Sequence, residues 1–331
     1  MRVLVTGSAG FIGFHLCKYL LKKEYSVYGL DNLNNYYDLN LKKNRLKILK
    51  TFKNFKFIKV DLSQKKKLYS KLKNQNFDVV INLAAQAGVR YSLKHPDEYL
   101  KSNLIGFCNL INWIKLKKIK HFLFASTSSV YGIDQSKTFK ENSPAVFPIQ
   151  YYAATKRSNE LIAHSYSYIY KIPCTALRFF TVYGPWGRPD MALFKFTKNI
   201  LKNKRIEVFN YGKHKRDFTY IDDVVKSIYL LINKIPKKNK KKSLSTSSQA
   251  PFSIINIGGG RKVKLMSFIK EIEKNLSLKA KIKYLPLQKG DVPETSCNTS
   301  KIKKVLNFVP KTNYKVGIKK FIEWYKNYYS N

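Results

Sequence analysis

Val3-Leu-Val-Thr-Gly7-Ser-Ala-Gly10-Phe-Ile-Gly13 carries a short apolar run directly into a glycine-rich turn. The apolar run predicts a buried strand, and the spaced apolar residues beyond the turn predict a helix. Glycines at such a junction suit a tight turn, a close backbone approach to a pyrophosphate and tight packing of helix on strand. The stretch therefore predicts a β-turn-α unit that binds a dinucleotide, although its spacing is G-x-x-G-x-x-G rather than G-x-G-x-x-G.

The same alternation continues downstream and predicts the fold class. Further apolar runs predict strands, and helical patterns separate them. Strands that alternate with helices indicate an α/β protein with a Rossmann-type, doubly wound parallel sheet, whose ligands lie at the carboxyl ends of the strands. The predicted strands are 26–30, 55–60, 78–82, 122–127 and 174–180, and the clearest helices are 96–117 and 151–170.

A change of pattern after residue 180 predicts a second, smaller α/β unit. Residues 181–191 are rich in Gly and Pro and predict a loop, which precedes a basic amphipathic helix. We assign 1–180 to the dinucleotide-binding domain and 181–331 to a substrate domain, and expect the chain to return to the first domain around 213–260. The basic, polar segment 237–248 predicts a surface loop.

Composition restricts the class of protein. The chain has 331 residues, 44% of them apolar, which is enough for a substantial core. It shows no leader-like segment and no apolar run of membrane-spanning length, so we expect a cytoplasmic protein without a membrane partner. Its four cysteines and five histidines lack metal-ligand or disulfide-framework spacing, so we expect no metal.

The net charge of +43 invites a nucleic-acid hypothesis. However, lysines occur in nearly every segment and far outnumber arginines, a distribution typical of a solvated basic surface. We therefore expect no nucleic-acid partner. A nucleic-acid-binding protein on a degenerate Rossmann fold stays open as a distant alternative.

Three residues predict a site that oxidises an alcohol. Thr127 ends a buried-looking strand, and Tyr152 and Lys156 follow four residues apart on a predicted helix. Together they can surround one substrate hydroxyl with three proton-handling groups. Three other Tyr–Lys pairs share this spacing, but only this one follows a strand that ends in Ser and Thr. We predict Thr127, Tyr152 and Lys156 as catalytic residues.

Residues after the other strands predict the rest of the cofactor site. Asp31 follows the second strand, where a carboxylate accepts both ribose hydroxyls and repels a 2′-phosphate, so it favours NAD over NADP. Asp61 and Leu62 follow the third strand near the expected adenine. Small residues after the fourth strand let its loop close over a cofactor. The predicted cofactor residues are Gly7, Gly10, Phe11, Ile12, Gly13, Asp31, Asn32, Asp61, Leu62, Leu83, Ala84, Ala85, Gln86, Asn103, Tyr152, Lys156 and Phe179.

With these residues the chain resembles the extended short-chain dehydrogenase/reductases, and among them the nucleotide-sugar 4-epimerases. The resemblance spans nearly the whole chain through the glycine turn, the catalytic trio, Arg216-Asp-Phe-Thr-Tyr-Ile-Asp-Asp223 and Gly290-Asp-Val-Pro293. Two stretches make the UDP-glucuronate 4-epimerase branch the most similar. They are Asp31-Asn-Leu-Asn-Asn-Tyr-Tyr-Asp38 and Arg178-Phe-Phe-Thr-Val-Tyr-Gly-Pro-Trp-Gly-Arg-Pro-Asp-Met191.

The resemblance implies a mechanism with bound NAD. Tyr152 would act as the base, ionised near neutrality through Lys156 and the nicotinamide charge, while Thr127 hydrogen-bonds the sugar 4-hydroxyl. The C4 hydride would leave, the 4-keto sugar would turn over, and the same hydride would return to its other face. Related dehydratases and decarboxylases carry acidic residues just after this Thr, whereas this chain has Ser128 and Ser129, which favours epimerisation alone.

The resemblance also implies how the substrate is held. Thr181, Ser129 and Arg188 are candidates to keep a glucuronate carboxylate from decarboxylating, although Arg188 could instead stabilise its own loop. Arg216 would bind the diphosphate and Asp291 the uridine ribose, with Gln288 in place of an arginine found in galactose epimerases. The predicted substrate residues are Arg90, Thr127, Ser128, Ser129, Tyr152, Thr181, Arg188, Lys195, Arg216 and Asp291.

Two alternatives concern the substrate and the assembly. UDP-glucose or a UDP-N-acetylhexosamine could replace UDP-glucuronate as the sugar that is epimerised at C4. Helices 96–117 and 151–170 resemble the family's dimer-forming pair, which implies a homodimer, although their apolar faces could simply pack on the sheet.

Overall fold

A computed structural model describes residues 1–133, 138–238 and 249–329 of the chain. Its largest element is a seven-stranded parallel sheet in the order β10-β6-β5-β4-β1-β2-β3. The predicted α/β class with a doubly wound parallel sheet is confirmed. The strands are β1 (Arg2–Thr6), β2 (Ser26–Asp31), β3 (Phe55–Lys59), β4 (Val79–Asn82), β5 (His121–Thr127), β6 (Cys174–Phe179), β7 (Thr181–Tyr183), β8 (Ile206–Val208), β9 (Lys215–Tyr220), β10 (Phe252–Ile257), β11 (Lys262–Lys264) and β12 (Ile282–Tyr284).

Helices cover both faces of this sheet because successive strand residues point to opposite sides. In β1, Val3 and Val5 join one apolar core and Leu4 joins the other. The helices are α1 (Phe11–Lys22), α2 (Leu39–Lys50), α3 (Lys65–Leu72), α4 (Val89–Lys94), α5 (Pro96–Tyr99), α6 (Gly106–Lys115), α7 (Tyr151–Tyr170), α8 (Ala192–Leu201), α9 (Ile221–Ile232), α10 (Leu265–Leu276), α11 (Ser300–Leu306) and α12 (Tyr314–Tyr329).

The structure differs from the predicted helix 96–117 in one respect. The segment divides into α5, a π-helical stretch at Leu100–Ile105 and α6. A π-helical turn inserts an extra residue into the backbone ladder and often lies at a functional site. Here it places Asn103 in the interior, beside the loop that follows β4.

The predicted loop 181–191 is also partly wrong, because its first three residues form β7. This strand pairs with β9, and β9 pairs with β11, so they make a small separate sheet. A further pair, β8 and β12, lies beyond it. The β7 sequence Thr-Val-Tyr is rich in β-branched and aromatic residues, a preference that the Gly and Pro after it obscured.

β10 follows β7, β8 and β9 in the chain yet pairs with β6 at the edge of the large sheet. α9 precedes β10 and packs against α1. The division at residue 180 with a return around 213–260 stays a prediction about domain boundaries. Of the predicted loop 237–248, residues 239–248 lie outside the described residues. None of the helices in the described part of the chain combines the length and apolar composition of a membrane span.

Candidate active site

A cleft lies along the carboxyl ends of the central strands, where parallel sheets bind their ligands. Its open space is about 1430 Å³, a figure that includes the solvent at its mouth. Every predicted cofactor residue except Asn103 lines it, as do Thr127, Tyr152 and Arg188 from the predicted substrate set. The cleft therefore brings the predicted cofactor residues together with three of the predicted substrate residues.

The glycine-rich turn leaves no room for side chains. Gly7 has a φ of 70°, and a Cβ there would lie 2.8 Å from the backbone nitrogen of Ala84. A Cβ on Gly13 would collide with the carbonyl oxygen of Gly7. The glycines thus bring bare backbone close to the cleft at the N-terminus of α1, which fits the pyrophosphate of a dinucleotide.

Asp31, the last residue of β2, supplies a buried carboxylate beside this turn. Its oxygens accept hydrogen bonds from the backbone nitrogens of Ala9 at 3.0 Å and Leu33 at 2.8 Å. Burial raises the pKa of Asp31, against the backbone donors and the charges of Lys42 and Arg45. Each carboxylate oxygen has a second lone pair, so the group can also accept from ribose hydroxyls.

Lys42 is a cleft residue that the sequence did not reveal. It is 5% exposed, and its ammonium donates a 2.7 Å hydrogen bond to the carbonyl of Asn34. Burial lowers its pKa to about 8. A lysine on a helix is an ordinary surface residue, so only its position in the folded chain shows that it faces Asp31.

Arg45 joins three parts of the cleft wall. Its side chain is fully buried, and one nitrogen contacts the carbonyl of Ala9 at 2.9 Å and the hydroxyl of Tyr37 at 2.7 Å. Its second terminal nitrogen lies 2.6 Å from the carbonyl of Trp186, a residue with a left-handed φ of 59°. A residue of α2 therefore fixes the glycine-rich turn to the loop that precedes α8.

The three predicted catalytic residues lie together on the cleft. Tyr152 stands in the first turn of α7 and Lys156 one turn later, while Thr127 ends β5. Burial raises the pKa of Tyr152, and the charge of Arg188 and a hydrogen bond with Thr127 oppose the rise. Burial lowers the pKa of Lys156 to about 8, against the charge of Glu160.

These shifts describe the chain without its cofactor. The ionisation of Tyr152 near neutrality through Lys156 and the nicotinamide charge stays a prediction for the protein with its cofactor bound. In the chain alone the desolvation of Tyr152 dominates, so its hydroxyl stays protonated there. Additional positive charge has to come from the bound cofactor.

A buried ion pair lies behind Lys156. Glu160 accepts two hydrogen bonds of 2.8 Å from Arg178 and one of 2.6 Å from Ser126, the neighbour of Thr127. Both members of the pair are 1% exposed. This pair ties α7 to β5 and β6, and so fixes the Tyr152 helix relative to Thr127.

Arg188 lines the cleft close enough to Tyr152 to act on its pKa. Its Nε and Nη2 atoms donate to the two oxygens of Asp190 at 3.0 and 2.5 Å. Tyr36 donates to the same carboxylate at 3.2 Å. Asp190 and Tyr36 are functional candidates that the sequence analysis did not single out.

A second cluster holds the predicted nucleotide-binding residues. Asp291 contacts Arg216 at 3.1 Å and Arg90 at 3.7 Å, and the Arg90 side chain is 52% exposed. Gln150, just before α7, donates to the carbonyl of Gly290 and so connects this cluster to the Tyr152 helix. Buried oxygens of Gln150 and Gln288 have no hydrogen-bond partner among the described residues, as expected where a polar ligand completes a site.

The remaining predicted residues lie around the cleft. Ser129 accepts a 3.2 Å hydrogen bond from Thr127, and Ser128 begins the same turn. Thr181 lines a smaller neighbouring cavity that it shares with Arg188. Lys195 is exposed on α8 and does not line the cleft.

Asn103 lies behind the cleft wall and is not among its lining residues. Its side chain exchanges two hydrogen bonds with the backbone of Gln86, at 2.8 and 3.0 Å, and contacts Thr155 at 3.1 Å. The π-helical turn aims the amide away from the cleft. Its geometry therefore indicates support for Gln86 rather than direct cofactor contact.

The side chains and backbone groups that line the cleft suit a dinucleotide. In the described part of the chain, they do not form a metal site. Among residues 1–133, 138–238 and 249–329, no cluster of His, Cys, Asp or Glu could hold a metal ion. The four cysteines are free thiols. A glycine cradle, a buried carboxylate beside it and a Tyr–Lys pair farther along match the pyrophosphate, ribose and reactive ring of a nicotinamide cofactor.

Sequence comparisons with known proteins agree with the nicotinamide-cofactor site that this geometry indicates. The profile of the NAD dependent epimerase/dehydratase family matches residues 3–258. The chain is 47% identical to protein CapI of Staphylococcus aureus, with 99% of both chains covered. It is 43% identical to the probable UDP-glucuronate 4-epimerase of Rhizobium meliloti, over 99% of this chain and 98% of that one.

A solved structure extends the similarity to three dimensions. The UDP-glucuronic acid 4-epimerase of Bacillus cereus, in complex with UDP-glucuronic acid and NAD, superposes with a TM-score of 0.87. The two sequences are 33% identical, and the alignment covers 99% of this chain and 100% of the other. The structural similarity therefore extends over nearly the whole of both chains.

Proposed function

This chain belongs to the NAD-dependent epimerase/dehydratase family, and on that premise we propose that it interconverts UDP-glucuronate and UDP-galacturonate with a resident NAD. The main observation in its support is that Arg188 lines the same cleft as Thr127 and Tyr152. The charge of Arg188 also opposes the rise that burial causes in the pKa of the Tyr152 hydroxyl. A fixed guanidinium beside the base for the 4-hydroxyl suits a sugar that carries a carboxylate at C5.

The glycine-rich turn and Asp31 would hold NAD, which would supply the hydride chemistry at C4. The chain supplies the proton chemistry. Tyr152 takes the proton of the 4-hydroxyl and later gives it back, while Thr127 orients that hydroxyl. Lys156, buried one helical turn after Tyr152, would place a positive charge near the tyrosine.

Arg188 can hold the sugar carboxylate without leaving Asp190. A guanidinium has five N–H donors, and Asp190 uses the edge formed by Nε and Nη2. The edge formed by Nη1 and Nη2 is then available for a second carboxylate. Oxidation at C4 makes a β-keto acid, so a carboxylate fixed out of line with the carbonyl π system is protected from decarboxylation.

The charges around the cleft support epimerisation without elimination. Its lining carboxylates are Asp31 and Asp61, both at the expected adenosine end. Ser128 and Ser129 follow Thr127 where a dehydratase needs an acid–base residue. A carboxylate that could remove the C5 proton is therefore missing beside Thr127 among the lining residues of the described cleft.

The second cluster is the proposed nucleotide site. Arg216, with Arg90 at its side, supplies fixed positive charge for the diphosphate, and Asp291 accepts from the uridine ribose. Asp291 pairs with both arginines, so nucleotide binding has to rearrange this cluster. Lys195 is exposed on α8 and would act only as a distant cation.

We also propose a homodimer formed by α6 and α7 with the helical turns before α6. These helices pack on one another and keep large apolar side chains exposed in a protein with many polar surface residues. The exposed residues are Leu93, Leu100, Ile105, Leu161, Tyr168 and Ile169. A Leu161→Asp variant should be monomeric by light scattering, and a dimer unaffected by it would contradict this interface.

Product analysis tests the proposed activity. Purified protein without added cofactor should convert UDP-glucuronate to UDP-galacturonate, and denaturation should release NAD. UDP-glucose and UDP-N-acetylglucosamine, offered separately, should react far more slowly because they lack the carboxylate. Preference for either of them would replace the uronate assignment by the corresponding UDP-hexose 4-epimerase, and release of NADP would refute the role of Asp31.

A further inference from the structure

We propose that Asp190, held by Tyr36, is a positioning residue that turns Arg188 so that only its outer edge meets the sugar carboxylate. This inference rests on the proposed function. It assigns to the 184–191 loop a role in keeping the keto intermediate intact, beyond the binding of substrate.

The bidentate contact fixes the plane of the guanidinium. Arg188 gives Nε to one oxygen of Asp190 and Nη2 to the other, at 3.0 and 2.5 Å. Two parallel hydrogen bonds between planar groups leave little freedom of rotation. The remaining donors lie on Nη1 and on the outer side of Nη2, so their direction is set by Asp190.

Asp190 itself does not line the cleft, whereas Arg188 does. The carboxylate is thus placed to act through the guanidinium rather than as part of the cleft lining. Pairing with Asp190 neutralises much of the Arg188 charge, which would weaken a site built only for affinity. The arrangement makes sense if orientation of the substrate carboxylate matters more than its attraction.

Tyr36 gives Asp190 a further hydrogen bond. Its hydroxyl donates to the oxygen of Asp190 that also accepts from Nη2, at 3.2 Å. The Tyr36 ring packs edge-on against Tyr91 with centroids 4.7 Å apart. Burial and the charge of Asp190 raise the pKa of Tyr36 to about 12, so the hydroxyl remains a donor at neutral pH.

Loss of this orientation has a specific chemical consequence. In the 4-keto intermediate, a carboxylate that rotates into line with the carbonyl can leave as carbon dioxide. The C5–C6 bond then breaks, its electron pair enters the C4 carbonyl as an enolate, and water supplies a proton to C5. The product is a UDP-4-keto-pentose, and the two electrons removed from C4 stay on the reduced cofactor when it dissociates.

The test compares Asp190→Asn with Tyr36→Phe and with Glu207→Gln, an exposed carboxylate on β8 that serves as the control. Mass spectrometry measures the ratio of UDP-4-keto-pentose to UDP-galacturonate formed from UDP-glucuronate. Calorimetry measures UDP-glucuronate binding in each variant. Epimerisation of UDP-glucose, followed in parallel, reports damage that does not involve a carboxylate.

Asp190→Asn should raise the ratio of keto-pentose to epimer by about tenfold over wild type, because one charge-assisted contact to Arg188 is lost. Its affinity for UDP-glucuronate should be unchanged or higher, since the guanidinium loses its neutralising partner. Tyr36→Phe should change the ratio in the same direction by a smaller factor, and the double variant should add little to Asp190→Asn.

Two results would overturn the inference. One is a ratio in Asp190→Asn equal to that of Glu207→Gln. The other is equal loss of binding and turnover for both sugars, which a purely structural residue would produce. If Asp190→Asn does not fold, an unchanged ratio in Tyr36→Phe refutes the inference. A wild-type protein inactive on UDP-glucuronate would refute the proposed function itself.

Discussion

Nη1 of Arg45 lies 2.9 Å from the carbonyl oxygen of Ala9, inside the glycine-rich turn. The same guanidinium contacts the carbonyl of Trp186, so one buried side chain on α2 connects the cofactor turn to the loop that carries Arg188. Arg45 thus connects the cofactor end of the cleft to the sugar end, although it does not line the cleft itself.

Arg45→Met should lower both stability and cofactor content. The two carbonyls would lose their donor inside the protein, which costs about 1–3 kcal/mol. Urea unfolding measures the first effect, and the NAD released on denaturation measures the second. Arg205→Met, at an exposed arginine, is the control. Equal midpoints and NAD contents in the two variants would show that Arg45 is dispensable.

Tyr152→Phe should nearly abolish turnover while UDP-sugar binding stays close to wild type. Only the phenolic oxygen moves the proton of the 4-hydroxyl, and the ring keeps its packing. Turnover and calorimetric binding are measured side by side. Tyr19→Phe, at another Tyr–Lys pair on α1, should change little. A similar loss in both variants would mean that the active site lies elsewhere.

Arg188→Ala should weaken turnover of UDP-glucuronate by on the order of 2 kcal/mol, or about thirtyfold, the value of a charge-assisted hydrogen bond. The freed carboxylate should also leave as carbon dioxide, so reduced cofactor accumulates and absorbs light. UDP-glucose turnover should fall far less. Proportional loss on both sugars without reduced cofactor would make Arg188 a structural residue.

His121 should make stability depend on pH. Burial lowers its pKa from 6.5 to about 4, so the unfolded chain binds a proton more readily than the folded chain. The contribution of His121 to the free energy of unfolding is complete above about pH 6.5 and is lost as the pH falls through about 4. The total loss is on the order of 3 kcal/mol.

His121→Asn tests this dependence. The asparagine amide can still donate to the carbonyl of Ile232, which the imidazole contacts at 3.0 Å. Urea midpoints between pH 7 and pH 4.5 should therefore decline less steeply in the variant than in wild type. Parallel declines would show that other groups control acid unfolding.

Local sequence predicted those parts of the site that one motif contains. The glycine turn, Asp31 and the Tyr152–Lys156 pair each follow a strand or begin a helix, and the parallel sheet brings all strand ends to one edge. The fold class could be predicted for the same reason. Each of these predictions needed only a local motif and the alternation of strands and helices around it.

Partners that come from distant segments could not be predicted. In the sequence, Arg45 and Lys42 are ordinary helix residues, and only the packing of α2 beside the turn brings them to the site. Asp190 becomes a candidate only through its contact with Arg188. Asn103 is predicted as a cofactor residue, whereas in the structure its amide hydrogen-bonds the backbone of Gln86 from a π-helical stretch. Tertiary packing decides all four positions.

Label transfer tests the central claim most directly, because a resident cofactor must return the hydrogen that it removes. UDP-glucuronate with deuterium at C4, incubated with the purified protein in ordinary water, should give UDP-galacturonate that keeps the deuterium at C4. Mass spectrometry and NMR locate the label. Replacement of the deuterium by solvent hydrogen would contradict hydride removal and return at C4, and with it the account of Tyr152, Thr127 and the bound NAD.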